Sequence, residues 1–124
     1  MKKTVFFFED KNESDTNHPW IVISDPDADN NVVIVNATHT RDTGREDLSC
    51  ILKGGCHPNI PDDSYIAYKF AKEISIYKIN LLESTKRLTK KSTPLSDSDL
   101  KKIQEGAKKS KLLPKGLKKY FPES

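Results

Sequence analysis

His18-Pro-Trp-Ile-Val-Ile-Ser24, Asp25-Pro-Asp-Ala-Asp-Asn30 and Asn31-Val-Val-Ile-Val-Asn-Ala-Thr-His-Thr40 follow one another without a break. Two β-branched apolar runs flank a cluster of turn residues, the pattern of an antiparallel hairpin. Neither run alternates, so both strands are expected to be buried on both faces or to lie centrally in a curled sheet. Pairing them brings His18 together with Thr38, His39 and Thr40 at one end of the sheet. That end is where a functional site is expected.

Further strands are predicted at residues 4–8, 48–52, 64–68 and 73–79. All-polar loops span residues 9–17 and 39–47; the first is expected to be flexible. Lys53-Gly-Gly-Cys-His-Pro-Asn59 is irregular, because two glycines and a proline break regular structure. Residues 81–93 are read as a polar tether. Ser96 then offers an N-cap, with Asp99 three residues on and an acidic first turn. Leu100, Ile103 and Ala107 form one helical face; Gly106 lowers its intrinsic stability. Leu112-Leu-Pro114 ends the helix, and Leu117, Tyr120 and Phe121 are expected to fold back.

With 124 residues, 35% hydrophobic and 31% charged, the chain fits one domain with a modest core. The expected body spans about residues 4–82, with a basic helical segment at about 95–121. Phe6-Phe-Phe8 is cut short by Glu9, Asp10 and Lys11, so the N-terminus is not read as a signal peptide. No run reaches the length of a membrane span, and a cytoplasmic location is expected. Cys50 and Cys56 are too few for a disulfide scaffold and, with His57, match no strong zinc spacing. Both are read as reduced packing residues.

The net charge is +3 but unevenly spread. Residues 1–68 carry six basic and twelve acidic side chains, and residues 69–124 carry fifteen basic and six acidic. The asymmetry suggests contact with a polyanion; a solvated lysine-rich helix is the plainer reading.

Taken together, the segments resemble the PemK/MazF family of bacterial toxins. His18-Pro-Trp-Ile-Val-Ile-Ser24 is similar to the family's strand of a basic residue, proline, an apolar run and serine. Val33-Ile-Val-Asn-Ala-Thr-His39 is similar to the strand that ends in its threonine. Ile60-Pro-Asp-Asp-Ser-Tyr-Ile-Ala-Tyr68, leading to Glu73-Ile-Ser-Ile76, and the helix after Leu95-Ser-Asp-Ser-Asp-Leu100 complete the likeness, which runs over most of residues 4–110. It implies a mainly β, α+β fold: a small curled SH3-like barrel with a C-terminal helix. It also implies a homodimer, neutralisation by a cognate antitoxin, and metal-independent, sequence-selective cleavage of single-stranded RNA without a cofactor.

In that scheme a ribose 2′-hydroxyl attacks the neighbouring phosphorus, and the protein moves protons and stabilises phosphoryl charge. Thr38 takes the family's threonine position. His18 stands where the family has arginine, a departure that exchanges a fixed cation for a proton carrier. Arg41 is the expected charge stabiliser, and His57, on a glycine-rich turn, is a second acid/base candidate. Thr40, Arg45 and Tyr65 are expected to contact RNA; Tyr65 and Tyr68 point to opposite faces, so at most one stacks on a base. Asp62 and Asp63 are read as turn residues, and Trp20 with residues 6–8 as core or dimer surface. The alternative is a non-catalytic binding module on the same barrel, holding RNA or a host protein.

Overall fold

The computed structural model describes residues 1–40, 44 and 46–122. The chain runs β1 (Val5–Phe8), β2 (Trp20–Val22), β3 (Asn31–His39), β4 (Ile51–Leu52), β5 (Ser64–Ile66), β6 (Lys72–Ser75), α1 (Ile76–Ser84), β7 (Leu88–Lys90) and α2 (Asp97–Lys109). All strand pairs are antiparallel, in the order β4-β5-β3-β2-β1-β7, with β6 also on β3.

The hairpin of β2 and β3 is the centre, in the register Trp20↔Asn36, Ile21↔Val35 and Val22↔Ile34. Asp27 organises its turn. Its Oδ1 accepts the backbone N–H of Asp29 at 2.9 Å and of Asn31 at 2.8 Å, while Asn30 takes a left-handed φ of 63° that asparagine tolerates.

Successive residues of β3 point to opposite faces, and each face carries its own core. Val33, Val35 and Ala37 join Val5, Ile21 and Ile66 under Leu100, Ile103 and Ala107 of α2. Val32 and Ile34 join Phe6, Phe8, Trp20 and Val22 under Ile79 and Leu82 of α1. The absence of alternation in these strands has this cause: the sheet is covered by helix on both sides.

This arrangement corrects the barrel expectation. The fold is mixed α/β around an open sheet, not an SH3-like or PemK-type barrel. β4 and β7 each pair inward only, and closure would need them to pair with each other. The missed element is α1. Ser75 ends β6 and at once caps the helix, its side chain accepting the N–H of Lys78 at 3.0 Å. The strand expected at residues 73–79 therefore stops at Ser75, and the expected tether contains the end of α1 and all of β7.

β5 and β6 together form one interrupted strand along β3. Between the pairs Ala37↔Ile66 and Ile34↔Lys72, β3 advances three residues and its partner six. The excess forms the 3-10 turn Tyr68–Phe70. Tyr68 is fully buried, and its hydroxyl donates to the Ile103 carbonyl at 2.6 Å. Phe70 is thrown outward and is 55% exposed.

α2 begins as its sequence indicates, with Ser96 accepting the Asp99 N–H at 3.2 Å. Gly106 marks its closest approach to the sheet. A Cβ there would lie 2.3 Å from the Tyr68 hydroxyl and 2.8 Å from Cys50 Cβ. Lys118 folds back to donate to the carbonyls of Ala107 at 3.1 Å and Ser110 at 2.7 Å, the electronegative end of the helix. Leu117 and Phe121 are buried in the α2-side core. No helix among the described residues is long and apolar enough to cross a membrane.

Candidate functional site

α1 is nine residues long and covers only part of its face of the sheet. Beyond it, β3 continues through Asn36 and Thr38, and this stretch forms the floor of a groove of about 400 Å³. Trp20, Asn36, Thr38, Tyr65 and Lys72 line it from the strands, with Phe70 on one rim and Ser14, Asp15 and His18 on the other. Register explains the company: Trp20 pairs with Asn36, Tyr65 with Thr38, and Lys72 with Ile34. These residues share one face.

Asp15 organises the rim. Its carboxylate accepts the Asn17 N–H at 2.7 Å and holds His18 Nδ1 in a short hydrogen bond. Its carbonyl accepts the Trp20 indole N–H at 3.2 Å. With Nδ1 engaged, Nε2 is the nitrogen left for proton chemistry. The loop at residues 9–17 is strapped down rather than loose. Arg87 pairs with Asp10 at 2.8 Å and Glu13 at 2.5 Å, and Lys78 with Glu13 at 3.5 Å.

Lys72 supplies the cation. Its Nζ donates to Ser14 Oγ at 2.9 Å and lies 5.1 Å from the Trp20 ring centroid and 5.4 Å from that of Phe8. Burial holds its pKa below the ordinary lysine value, against the opposing pull of the Glu13 and Asp15 carboxylates. Thr38 Oγ1 donates to Asn36 Oδ1 at 2.8 Å, which leaves oxygen lone pairs to accept a hydrogen bond from a bound group.

Of the residues expected from sequence, the groove thus unites His18, Thr38 and Tyr65. It does not include His57. That ring is buried, with Nδ1 accepting the Asn59 N–H at 3.0 Å and Nε2 donating to the Thr93 carbonyl at 2.7 Å. Both nitrogens are committed to the backbone, so His57 is a structural tie between the loop and the segment after β7. Thr40 lies in a separate depression with Glu46, Leu48, Ile51 and Asp63, its N–H and hydroxyl both turned to the Asp63 carbonyl. Arg41 and Arg45 lie outside the described residues. His39 pairs with Asp62 at 3.7 Å; Asp63 accepts the Gly54 N–H at 2.8 Å, as a turn residue should.

Sequence reading missed Lys72, Asp15 and Phe70. Lys72 had a signal: it stands two residues before Ile74, so on a strand it shares a face with a core residue. Asp15 precedes His18 by three residues, close enough to orient it locally.

Among the described residues, no group of three or more His, Cys, Asp or Glu side chains could hold a metal ion. Burial pushes the Cys50 thiol up to about 11 and raises that of Cys56, so neither is an activated nucleophile. Comparison with known proteins finds no matching family model, no matching curated protein and no matching solved structure.

Proposed function

We infer that the groove binds single-stranded RNA and cleaves it without a metal ion. The observation that carries this reading is the convergence of an oriented imidazole, a hydroxyl and a half-buried ammonium in one cleft, beside two accessible aromatic rings. Each has work to do in phosphodiester transesterification. His18 Nε2 takes the proton of the attacking 2′-hydroxyl, and Asp15 stabilises the imidazolium that forms. The Thr38 oxygen, its own proton given to Asn36, accepts from a base N–H of the bound strand and positions it. Lys72 faces the non-bridging oxygens, whose charge grows in the transition state. The 2′-oxygen bonds to phosphorus, the 5′-oxygen leaves and is protonated, and a 2′,3′-cyclic phosphate remains. The lowered pKa of Lys72 suits it to give that proton. Tyr65 and Phe70 offer faces on which an unpaired base stacks.

Lys72 fills the role expected of Arg41. A homodimer, a neutralising antitoxin and a cytoplasmic site of action belong to this reading through the family resemblance alone. The decisive experiment incubates the protein with long single-stranded RNA in EDTA. Fragments ending in 2′,3′-cyclic phosphate are expected, with His18→Ala slower by about 100-fold. RNA left intact by the unmutated protein sinks the proposal.

A second reading is a binding module without catalysis. It is favoured by the carboxylates of Glu13 and Asp15 near Lys72, which weaken the attraction for a polyanion. RNA retained on the protein but never cut supports it.

A further inference from the structure

A second groove, of about 440 Å³, lies between α2 and strand β4. We propose that it docks an acidic, extended segment of a partner protein.

The wall on the helix side is a single stripe. Ser98, Lys101, Lys102, Glu105 and Lys109 all line the groove, and their spacing of three and four residues puts them on one helical face. Lys102 has Asp99 at 3.9 Å as a distant partner. Lys101 and Lys109 make no ion pair among the described residues, so two ammonium groups at the groove are unneutralised.

The wall on the sheet side is made by Ser49, Cys50 and Ile51. Register places the Ile51 side chain on the face of Tyr65 and Thr38, so Ile51 offers this groove its main chain. β4 is also an unpaired edge. The Cys50 carbonyl accepts the Ile66 N–H at 3.1 Å, so Ile51, the next residue, turns its own N–H and C=O away from β5. Main-chain groups of an incoming segment could meet them there.

Charge and chemistry select the occupant. The lysines call for carboxylates or phosphates. A nucleic-acid strand also wants aromatic stacking faces and forked guanidinium donors, and the groove lining contains neither an aromatic residue nor an arginine. Glu105, in the middle of the stripe, repels a continuous phosphate backbone but tolerates a peptide whose charges are spaced. An extended acidic segment that pairs its main chain with Ile51 satisfies both walls. This groove is on the α2 side of the sheet and the candidate catalytic groove on the α1 side, so occupancy of one leaves the other open.

The test uses the full chain and a dye-labelled glutamate-rich peptide, read by fluorescence anisotropy. Saturable binding that weakens with salt is expected. The double variant K101E/K109E, both positions exposed, should lower affinity by about tenfold or more, with an unchanged circular dichroism spectrum. A glutamine version of the peptide should bind as weakly as the variant. Absence of binding, or binding that the charge reversal leaves unchanged, overturns the proposal. So does preferential binding of a single-stranded oligonucleotide that the same reversal abolishes, since the groove would then be a nucleic-acid surface.

Discussion

The two faces of the sheet are finished differently. On one, the thirteen residues of α2 and the returning C-terminal segment seal the surface. Gly106 lets the helix settle against Cys50 and Tyr68, and Tyr68 ties the helix to the sheet through the Ile103 carbonyl. On the other, the nine residues of α1 stop short, and the uncovered end of β3 is paved with Trp20, Asn36, Thr38 and Lys72. The same strands serve both faces. A helix four residues longer closes one side, and a shorter one leaves room for a ligand on the other. Stability is therefore expected to concentrate on the α2 side and chemistry at the open end of the α1 side.

Several substitutions break or sharpen that contrast. Gly106→Val should do the most damage, since its Cβ lands inside the Tyr68 hydroxyl and against the Ser49 carbonyl. A loss on the order of 3 kcal/mol is expected from overpacking, read as a fall in the urea midpoint. Wild-type stability would show that the helix can lift away at no cost, and the sealed face would then be no seal.

Cavity formation should be felt next, on both sides. Ile103→Ala under α2 and Leu82→Ala under α1 remove fully buried side chains, each at about 3 kcal/mol. Ile103→Ala should leave RNA cleavage per folded molecule unchanged. Leu82→Ala loosens the helix beside the groove and should slow it. Equal activity of the two variants would deny any link between α1 and the site.

Lys72→Met should invert the pattern. Replacing a half-buried cation by an apolar chain of similar length changes stability by about 1 kcal/mol or less, in either direction. Cleavage should fall by about 100-fold. A large loss of stability would make Lys72 a structural tie to Ser14 rather than a member of the site.

The smallest effect is a pH dependence on the sealed side. Burial opposes ionisation of Asp47. Hydrogen bonds from the Ser110 hydroxyl at 2.5 Å and the Ser49 N–H at 3.0 Å outweigh it and hold the carboxyl below its usual value. A pKa lowered on folding stabilises above the unfolded value and loses that contribution as pH falls through the folded one. The difference in thermal midpoint between wild type and Asp47→Asn should shrink from pH 7 towards pH 3, below the ordinary aspartate value of about 3.9.

Much of this was legible in the chain. The β2–β3 hairpin, its aspartate-rich turn, the Ser96 cap and the burial of both strand faces follow from short-range chemistry. Burial on both faces was also the clue that went unused. The strands of a small barrel turn one side to the interior and the other outward, whereas Val32 to Val35 are apolar throughout. Such a run implies two covering layers, and a second helix had to exist. It was hidden because Ser75 looks like a strand residue and because α1 presents Tyr77 and Leu81 to solvent, which blurs its apolar stripe.

The candidate groove unites His18, Thr38 and Tyr65, which strand ends bring together, since antiparallel register is local information. Lys72 was not found, because it reaches the groove through the three-residue excess between β5 and β6, which no pattern in the sequence announces. His57 and Thr40 misled for the opposite reason. They are near in sequence to site residues, but backbone partners claim their polar atoms.

A sheet left open has two ends where a closed one has none, and each end carries unpaired amide and carbonyl groups able to recruit another chain. β4 limits its exposure by being only two residues long. β7 ends in Lys90, which reaches Glu83 at 3.2 Å, and Lys91 follows with its ammonium 5.2 Å from the Phe7 ring centroid. Lysine on a border strand discourages aggregation by keeping charge and water there. Part of the chain's basic excess thus guards a sheet edge. Acetylating those two side chains would remove the guard without touching either core.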